Sequence, residues 1–347
     1  MQSSVLITGG LGYIGSHTVV AMMEAGYEVV VIDSLANSRL EVLERIGRIV
    51  GRQPKFKELD LCDQEGVEAF FESADGANIS AVIHFAAYKN VGESVANPLK
   101  YYNNNIGSLV NTLSSMNAQA IPYFVFSSSC SVYGNAAVIP VTETTPLQPA
   151  ESPYGNTKKI GEEIIADAVK GTTVQAISLR YFNPIGAHSS NEIGEFPSTH
   201  MDNLIPALMS TARGDRSHFS VYGNDYNTAD GSCVRDYIDI MDLAAAHVKA
   251  VERLLKKKNQ DSYEVFNLGT GKGVSVLEMI AAAEQVTGTS ITYEVQPRRE
   301  GDVEAIYADP QLANEQLEWA ADRSLENMMA TAWAWSGALM ENTESNE

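Results

Sequence analysis

The sequence V-L-I-T-G-G-L-G-Y-I-G at Val5–Gly15 begins the chain's first regular pattern. A short apolar run breaks into glycines at the spacing G-x-x-G-x-x-G, which Gly9, Gly12 and Gly15 provide. After a helical pattern, Y-E-V-V-V-I-D at Tyr27–Asp33 is an unbroken apolar run, which is typical of a strand buried on both faces. Strand, glycine turn, helix and strand together predict the first unit of a parallel sheet.

The same alternation continues through the first half of the chain. Further strands are predicted at Lys55–Leu59, Ser80–Ala87, Pro122–Ser128 and Val174–Arg180, with helices at Arg39–Val50, Gln64–Ala74, Pro98–Gln119 and from Pro153. Strands and helices that alternate at this interval indicate a doubly wound parallel sheet. The predicted fold class is therefore α/β, with a Rossmann-type domain over residues 1–180.

Beyond Arg180 the pattern changes, and residues 181–347 are predicted to form a smaller C-terminal α+β domain, with some segments rejoining the first domain. The polar stretch Asn183–Asn203 is either a functional loop or a disordered one. Helices are predicted at Asn203–Arg213, Met241–Lys258, Ser275–Gly288 and Ser324–Leu339, and strands at Phe219–Tyr222, Glu264–Leu268 and Ile291–Val295.

The glycine turn is a candidate dinucleotide site. Glycines let the backbone approach a pyrophosphate, whose charge then rests on the helix N-terminus. Asp33 ends the next strand, where a carboxylate would bind the adenosine ribose hydroxyls and repel a 2′-phosphate, so NAD is favoured over NADP. Asp60 and Leu61, after the third strand, lie where adenine is expected. The alternative is a tight turn followed by a capping Asp.

A second candidate site is S-P-Y-G-N-T-K at Ser152–Lys158. Ser before Pro is typical of a helix start. Tyr154 and Lys158 are four residues apart, so they share one helix face and could transfer a proton. Taken alone, such a pair more often marks an ordinary surface helix.

Composition excludes several classes of function. The 347 residues carry a formal charge of −20, which repels nucleic acid and anionic membranes. The cysteines Cys62, Cys130 and Cys233 are odd in number and form no C-x-x-C pair, so neither a disulfide framework nor a metal site is expected. No signal peptide or membrane span is predicted, and we expect a cytoplasmic protein.

Further motifs extend a resemblance over almost the whole chain. They are H-F-A-A-Y-K-N-V-G-E-S at 84–94, F-S-S-S-C-S-V-Y-G at 126–134, L-R-Y-F-N-P-I-G-A-H at 179–188, G-N-D-Y at 223–226, V-R-D-Y at 234–237 and P-R-R-E-G-D at 297–302. With the two stretches above, the chain resembles the extended short-chain dehydrogenase/reductases, and among them the UDP-glucose 4-epimerase family. The resemblance implies that the first domain binds NAD and the second a UDP-sugar.

The resemblance also implies roles for individual residues. The implied catalytic set is Ser129, Tyr154 and Lys158. The implied NAD contacts are Gly9, Gly12, Tyr13, Ile14, Gly15, Asp33, Asn37, Ser38, Asp60, Leu61, Phe85, Ala86, Lys89, Asn104, Tyr181 and the catalytic set itself. The implied substrate contacts are Asn183, Asn203, Leu204, Tyr222, Arg235, Arg299, Asp302 and Ile306.

The implied activity is interconversion of UDP-galactose and UDP-glucose through a transient 4-keto sugar. Tyr154 would act as the base, and we expect two positive charges, on Lys158 and on the nicotinamide ring of NAD⁺, to lower its pKa from about 10. A related 4,6-dehydratase would need an Asp-Glu pair where Cys130 and Ser131 stand. An epimerase for N-acetylated UDP-sugars or UDP-glucuronate depends on the sugar pocket, where Ile306 is intermediate in size. A non-catalytic NAD-sensing protein is a further alternative.

Family members pair two long helices across a two-fold axis, so a homodimer is expected. The helices are predicted at Pro98–Gln119 and Pro153–Lys170. Their apolar residues outside the active-site face are Leu109, Leu113, Ile160, Ile164 and Ile165. The alternative is that these residues pack on their own sheet.

Overall fold

A computed structural model describes residues 3–197, 203–299 and 302–344. Its strands are β1 (Ser4–Thr8), β2 (Glu28–Asp33), β3 (Lys55–Glu58), β4 (Ile79–His84), β5 (Tyr123–Ser127), β6 (Gln175–Tyr181), β7 (Asn183–Ile185), β8 (Phe219–Tyr222), β9 (Val234–Asp239), β10 (Tyr263–Leu268), β11 (Gly273–Ser275), β12 (Tyr293–Gln296) and β13 (Ala305–Ile306). Its α-helices are α1 (Tyr13–Glu24), α2 (Glu41–Val50), α3 (Gln64–Glu72), α4 (Val91–Ala96), α5 (Pro98–Ala118), α6 (Pro153–Gly171), α7 (Leu204–Arg213), α8 (Ile240–Leu255), α9 (Val276–Thr287), α10 (Gln311–Gln316) and α11 (Leu325–Glu344).

Seven parallel strands form the main sheet, in the order β10-β6-β5-β4-β1-β2-β3. The order reverses between β1 and β4, which opens a crevice at the carboxyl ends of these two strands. The predicted Rossmann-type sheet is therefore confirmed. Its last strand, β10, comes from the C-terminal half and pairs with β6.

Two apolar cores cover the two faces of this sheet. Successive side chains of a strand point to opposite faces. In β1, Val5 and Ile7 join the core on one face, while Leu6 joins the core on the other. The strands are buried on both sides, which explains their nearly continuous apolar sequences.

The C-terminal half adds two small sheets and a third apolar core. Strands β11, β9, β13 and β7 form one sheet, and β12 pairs with β8 in the other. The third core includes Leu208 from α7, Met279 from α9 and Met329 from α11. These elements form an apolar core of their own, apart from the two cores that cover the main sheet.

The predicted strands of the main sheet are confirmed, with ends that differ by a few residues. Several short elements were not predicted: α4, α10, β7, β9, β11 and β13. Strand β9 has the polar sequence V-R-D-Y-I-D, in which Asp236 is fully buried. Its carboxylate accepts hydrogen bonds from the Thr270 amide and hydroxyl and from the Gly271 and Ala308 amides. Tertiary hydrogen bonds therefore stabilise β9, whose polar sequence does not predict a strand.

The expected loop Asn183–Asn203 begins instead with strand β7. Residues 186–197 follow, and they are held to other parts of the chain by hydrogen bonds. Arg48 of α2 donates two of these bonds to the Glu192 carboxylate, at 3.0 and 2.8 Å. Residues 198–202 lie outside the described part of the chain.

Three of the residues expected on a free dimer face are buried instead. Leu109, Leu113 and Ile165 are at most 6% exposed and lie in the core beneath the main sheet. The expectation was wrong for these three because α5 and α6 turn them toward their own sheet. Ile160 and Ile164 are half-buried.

Within residues 3–197, 203–299 and 302–344, no helix has both the length and the apolar character that crossing a lipid bilayer requires.

Candidate functional site

The glycine turn after β1 has the geometry of a phosphate-binding loop. Gly9 has a φ of 68°, in the left-handed region. A Cβ at Gly15 would lie 2.2 Å from the Gly9 carbonyl oxygen, so only glycine lets α1 approach the turn this closely. The turn is therefore fixed by backbone packing.

The N-terminus of α1 fits an anionic cofactor group. Gly12 is its N-cap, no side chain caps the free amides, and no acidic residue lies in the first turn. A Cβ at Gly12 would meet only the Gly9 carbonyl oxygen, at 3.3 Å, so the space above the turn is open. Free helix-start amides beside open space suit a pyrophosphate.

Asp33 lies at the end of β2, beside the glycine turn. Its Oδ2 accepts the Leu11 amide at 3.0 Å, and its Oδ1 accepts the Leu35 amide at 3.0 Å and the Ser38 hydroxyl at 2.7 Å. Asn37 lies in the same loop. These donors fix the orientation of the carboxylate, as a ribose contact requires.

The other predicted cofactor residues follow neighbouring strands of the main sheet. Asp60 and Leu61 follow β3, Phe85, Ala86 and Lys89 follow β4, Tyr181 ends β6, Asn104 lies in α5, and Tyr13 and Ile14 begin α1. The Tyr13 hydroxyl donates to the Gly186 carbonyl at 2.7 Å, which joins the turn to the C-terminal half. The topology thus places the residues at the carboxyl ends of these parallel strands along one edge of the sheet.

Helix α6 begins as predicted. Ser152 is its N-cap and accepts the Gly155 amide at 3.1 Å, with Pro153 in the first turn. Ser129 follows β5, and Tyr154 and Lys158 lie on the first two turns of α6. The Lys158 ammonium donates to the Ser127 carbonyl at 2.6 Å, so the pair is anchored to the end of β5.

The electrostatics of this group differ from the expectation. Burial raises the pKa of Tyr154 well above its ordinary value, and a polar contact with Ser129 only partly opposes this effect. Burial lowers the pKa of Lys158 to about 7, against the opposing charge of Glu162. The expected lowering of the Tyr154 pKa involves both Lys158 and the NAD⁺ ring, and in the chain alone burial outweighs any effect of Lys158.

The depressed pKa of Lys158 predicts how the stability of the cofactor-free chain depends on pH. Between about 7 and about 10.5 the unfolded chain binds a proton that the folded chain has released, so the free energy of unfolding rises with pH in this window. Below it both states are protonated and the contribution is constant. Urea unfolding at several pH values should show that the free energy of unfolding of the wild type rises with pH relative to that of Lys158→Met. Parallel curves would contradict the prediction.

Sequence patterns did not reveal a buried ion pair behind the candidate catalytic residues. Glu162 lies one turn after Lys158, and its carboxylate accepts two close Arg180 bonds at 2.9 and 2.6 Å. It also accepts the Ser128 hydroxyl at 2.6 Å. The spacing of Glu162, four residues beyond Lys158 on the same helix face, was the available signal. The pair fixes the strand end from which Ser129 projects.

Four predicted substrate residues line one cavity in the C-terminal half: Leu204, Tyr222, Arg299 and Asp302. The Arg299 guanidinium lies 4.5 Å from the Tyr222 ring centroid, and its Nε is 3.1 Å from an Asp302 carboxylate oxygen. Arg235 approaches the same carboxylate at 3.7 Å. The two arginines are thus held side by side by one carboxylate, an arrangement suited to an anion.

The cavity has further lining residues that sequence patterns did not identify: Ala207, Arg216, Phe219, Ser220, Cys233 and Val276. Ala207 lies in α7, Phe219 and Ser220 in β8 and Val276 in α9, whereas Arg216 precedes β8 and Cys233 precedes β9. The alternation in β8, whose less buried positions are Ser220 and Tyr222, was the available signal.

The remaining predicted substrate residues lie elsewhere. Asn183 begins β7, and Asn203 is the N-cap of α7. Ile306 in β13 pairs with Arg235 but is only 4% exposed, within an apolar cluster that includes Tyr133 and Phe182. In the described part of the chain, no group of three or more His, Cys, Asp or Glu side chains is arranged to hold a metal ion.

Comparison with protein families and curated sequences agrees with this geometry. The family model described as GDP-mannose 4,6 dehydratase matches residues 6–332. A UDP-glucose 4-epimerase of Bacillus subtilis (strain 168) is 46% identical over 345 residues, covering 99% of this chain and 100% of that protein.

Solved structures are similar over the same extent. A UDP-glucose-4-epimerase from Stenotrophomonas maltophila, with bound NAD and formylated UDP-arabinopyranose, superposes with a TM-score of 0.93 and 42% identity, covering 98% of this chain and 100% of that one. The UDP-glucose 4-epimerase from Bifidobacterium longum, in complex with NAD+ and UDP, gives a TM-score of 0.91 and 40% identity, covering 97% and 98%.

Proposed function

The chain belongs to the extended short-chain dehydrogenase/reductase family and, within it, to the UDP-glucose 4-epimerases, and from this membership we propose its substrates and the roles of its residues. It is an NAD-dependent isomerase that interconverts UDP-galactose and UDP-glucose through a transient 4-keto sugar. One observation supports this function above others: Ser129, Tyr154 and Lys158 converge at the end of β5, beside the dinucleotide crevice.

Residues 1–180, with β10, form the NAD-binding domain in this proposal, and residues 181–347 supply the UDP-sugar contacts. The open start of α1 holds the pyrophosphate, and Asp33 holds the adenosine ribose. The remaining cofactor contacts are the residues along the crevice described above. The cavity at Tyr222, Arg299 and Asp302 holds the nucleotide of the substrate.

Inversion at a sugar carbon requires that its hydroxyl lose a proton and its carbon become planar. When bound, NAD supplies the hydride acceptor for that carbon and, in its oxidised nicotinamide ring, a positive charge. Tyr154 takes the hydroxyl proton, and Ser129 hydrogen-bonds the developing carbonyl and relays the proton. A cation beside Tyr154 favours its phenolate, which offsets the opposing effect of burial. Lys158, which donates a hydrogen bond to the Ser127 carbonyl, orients Tyr154.

The matching family model is described as a dehydratase, yet this site lacks the groups for elimination. Elimination of water needs an acid and a base beside the sugar, and Cys130 and Ser131 occupy those positions. Burial raises the pKa of the Cys130 thiol to about 11, so it is neutral at pH 7. A neutral thiol and a hydroxyl are poor substitutes for two carboxyl groups.

The purified protein is tested by incubation with UDP-galactose without added NAD. We expect UDP-glucose to form with no net change in NADH. Accumulation of NADH or of a dehydrated sugar would contradict the proposal, and absence of any product would favour an NAD-sensing role. UDP-N-acetylgalactosamine, supplied to the same preparation, tests whether Ile306 admits the larger substrate.

We also propose that the protein is a cytoplasmic homodimer. All three cysteines are free, which suits a reducing compartment. Val91 (45% exposed) and Val95 (56%) lie one turn apart in α4, and after the helix break at Asn97, Leu99 (79%) and Val110 (41%) share one face of α5. This apolar stripe is the face that a second copy of the chain would cover.

The dimer is tested with Val95→Glu/Leu99→Glu, which would bury two charges in the proposed interface. Sedimentation should show a dimer for the wild type and a monomer for the variant. Val138→Glu is a matched control, because Val138 is also an exposed valine (70%) but lies outside the stripe. A dimer that persists in the double variant would place the interface elsewhere.

A further inference from the structure

The Glu195 carboxylate connects two residues that are assigned to different ligands. One oxygen, Oε1, accepts the Lys89 ammonium at 3.1 Å and the Asn203 side-chain amide at 2.7 Å. Lys89 follows β4 on the cofactor side, whereas Asn203 begins α7 on the substrate side. This charged link was not predicted from the sequence.

The backbone at Glu195 is held firmly in this position. Its carbonyl accepts the Trp335 indole N–H at 2.9 Å, and the next residue, Phe196, packs edge-on against Trp335 at a centroid distance of 5.1 Å. The Arg39 guanidinium covers the Phe196 ring at 4.4 Å. The Glu195 side chain is only 17% exposed. These contacts fix the Glu195 backbone, but the side chain of its partner Lys89 is 57% exposed, so the ion pair still loses freedom when a ligand holds Lys89.

The same carboxylate lies near the glycine turn. Its charge, together with burial, raises the pKa of the Tyr13 phenol at the start of α1. Lys89 also lies 5.8 Å from the centroid of the Tyr13 ring. Glu195 thus belongs electrostatically to the cofactor crevice, although it comes from the C-terminal half.

We propose that Glu195 is a positioning residue that couples the two subsites, so that NAD and the UDP-sugar each strengthen binding of the other. This inference rests on the proposed function, which assigns Lys89 to NAD and Asn203 to the nucleotide sugar. Cofactor binding that immobilises Lys89 also immobilises Glu195, and through it Asn203. The second ligand then meets a side chain that is already ordered, and the effect is reciprocal.

The test uses the holoenzyme with labelled NAD, chased by excess unlabelled NAD with and without UDP. In the wild type we expect UDP to slow NAD release by about fivefold or more. In Glu195→Ala, UDP should slow NAD release by less than about twofold, and this factor is called the coupling factor. Glu195→Gln keeps an acceptor for Asn203 but loses the charge that binds Lys89, so its factor should be intermediate.

Glu192→Ala is the matched control. Glu192 lies three residues earlier in the same loop, and its carboxylate pairs with Arg48 rather than with a ligand-binding residue. Its factor should equal that of the wild type. A purely structural role for Glu195 would lower the melting temperature and leave the factor unchanged.

Two results would overturn the coupling: a wild type whose NAD release is indifferent to UDP, or a full factor in Glu195→Ala. If Glu195→Ala does not fold, Glu195→Gln decides by the same comparison. A wild type that binds neither UDP nor NAD contradicts the proposed function itself. The two failures are therefore distinguishable.

Discussion

Tyr154→Phe is expected to bind UDP with unchanged affinity and to lose kcat by about 10²- to 10⁴-fold, the range that general acid–base catalysis supplies. The substitution removes only the phenolic oxygen. The Ser152 cap and the Lys158 bond to the Ser127 carbonyl, which position α6, do not depend on this oxygen. Isothermal titration with UDP and steady-state turnover of UDP-galactose measure the two quantities separately.

Tyr102→Phe is the matched control for this variant. The Tyr102 hydroxyl also contacts α6, since it accepts the Asn156 side-chain amide at 2.7 Å, but it belongs to no proposed catalytic or binding set. Its turnover should match the wild type. If Tyr154→Phe keeps more than about a tenth of wild-type kcat, Tyr154 is not the base, because loss of a catalytic base costs far more.

The cofactor half of the site could be predicted because its residues follow strands that the sequence marks clearly. Gly9, Asp33 and Phe85 each lie at or just after the end of a strand, and parallel strands bring their carboxyl ends to one edge of the sheet. Local sequence order and spatial order therefore agree there. The glycine spacing also indicates what this edge of the sheet binds, since it suits a pyrophosphate.

The substrate half could not be predicted to the same extent, because its neighbours are made by tertiary contacts. Strand β9 is concealed by Asp236, whose partners come from residues that lie far along the chain. Leu109 and Leu113 show why an apolar helix residue does not reveal its partner, since they face their own sheet. The link from Lys89 through Glu195 to Asn203 likewise joins segments without a shared local pattern.

The pKa of Tyr154 could not be predicted from the sequence for a different reason. A phenol and an ammonium four residues apart predict attraction, but the outcome depends on desolvation, which spacing does not report. In the folded chain burial opposes ionisation of both groups, so each tends toward neutrality. Proton transfer at this site therefore depends on charge that the ligands bring to it.

Arg299→Ala is expected to weaken UDP binding by roughly 30-fold, near the lower end for loss of a hydrogen-bonded charge, because Arg299 is 47% exposed. The guanidinium stacks on Tyr222 and lies beside Arg235 at the shared Asp302 carboxylate, so its loss removes one of the two cations that this carboxylate holds together. At saturating UDP-galactose kcat should change little, which is the reverse of Tyr154→Phe. Arg299→Lys should recover only part of the affinity, because an ammonium lacks the planar fork.

The preceding residue, Arg298, provides the control for this prediction. Arg298 makes the same types of contact, with its guanidinium 4.0 Å from the Tyr226 ring centroid and its Nε 2.7 Å from an Asp225 oxygen. Those partners are outside the proposed diphosphate site, so Arg298→Ala should bind UDP like the wild type. Titration calorimetry of both variants compares two adjacent arginines that make similar contacts with different partners. Equal losses would mean that UDP responds to the net charge of the segment, and equal retention would remove Arg299 from the substrate site.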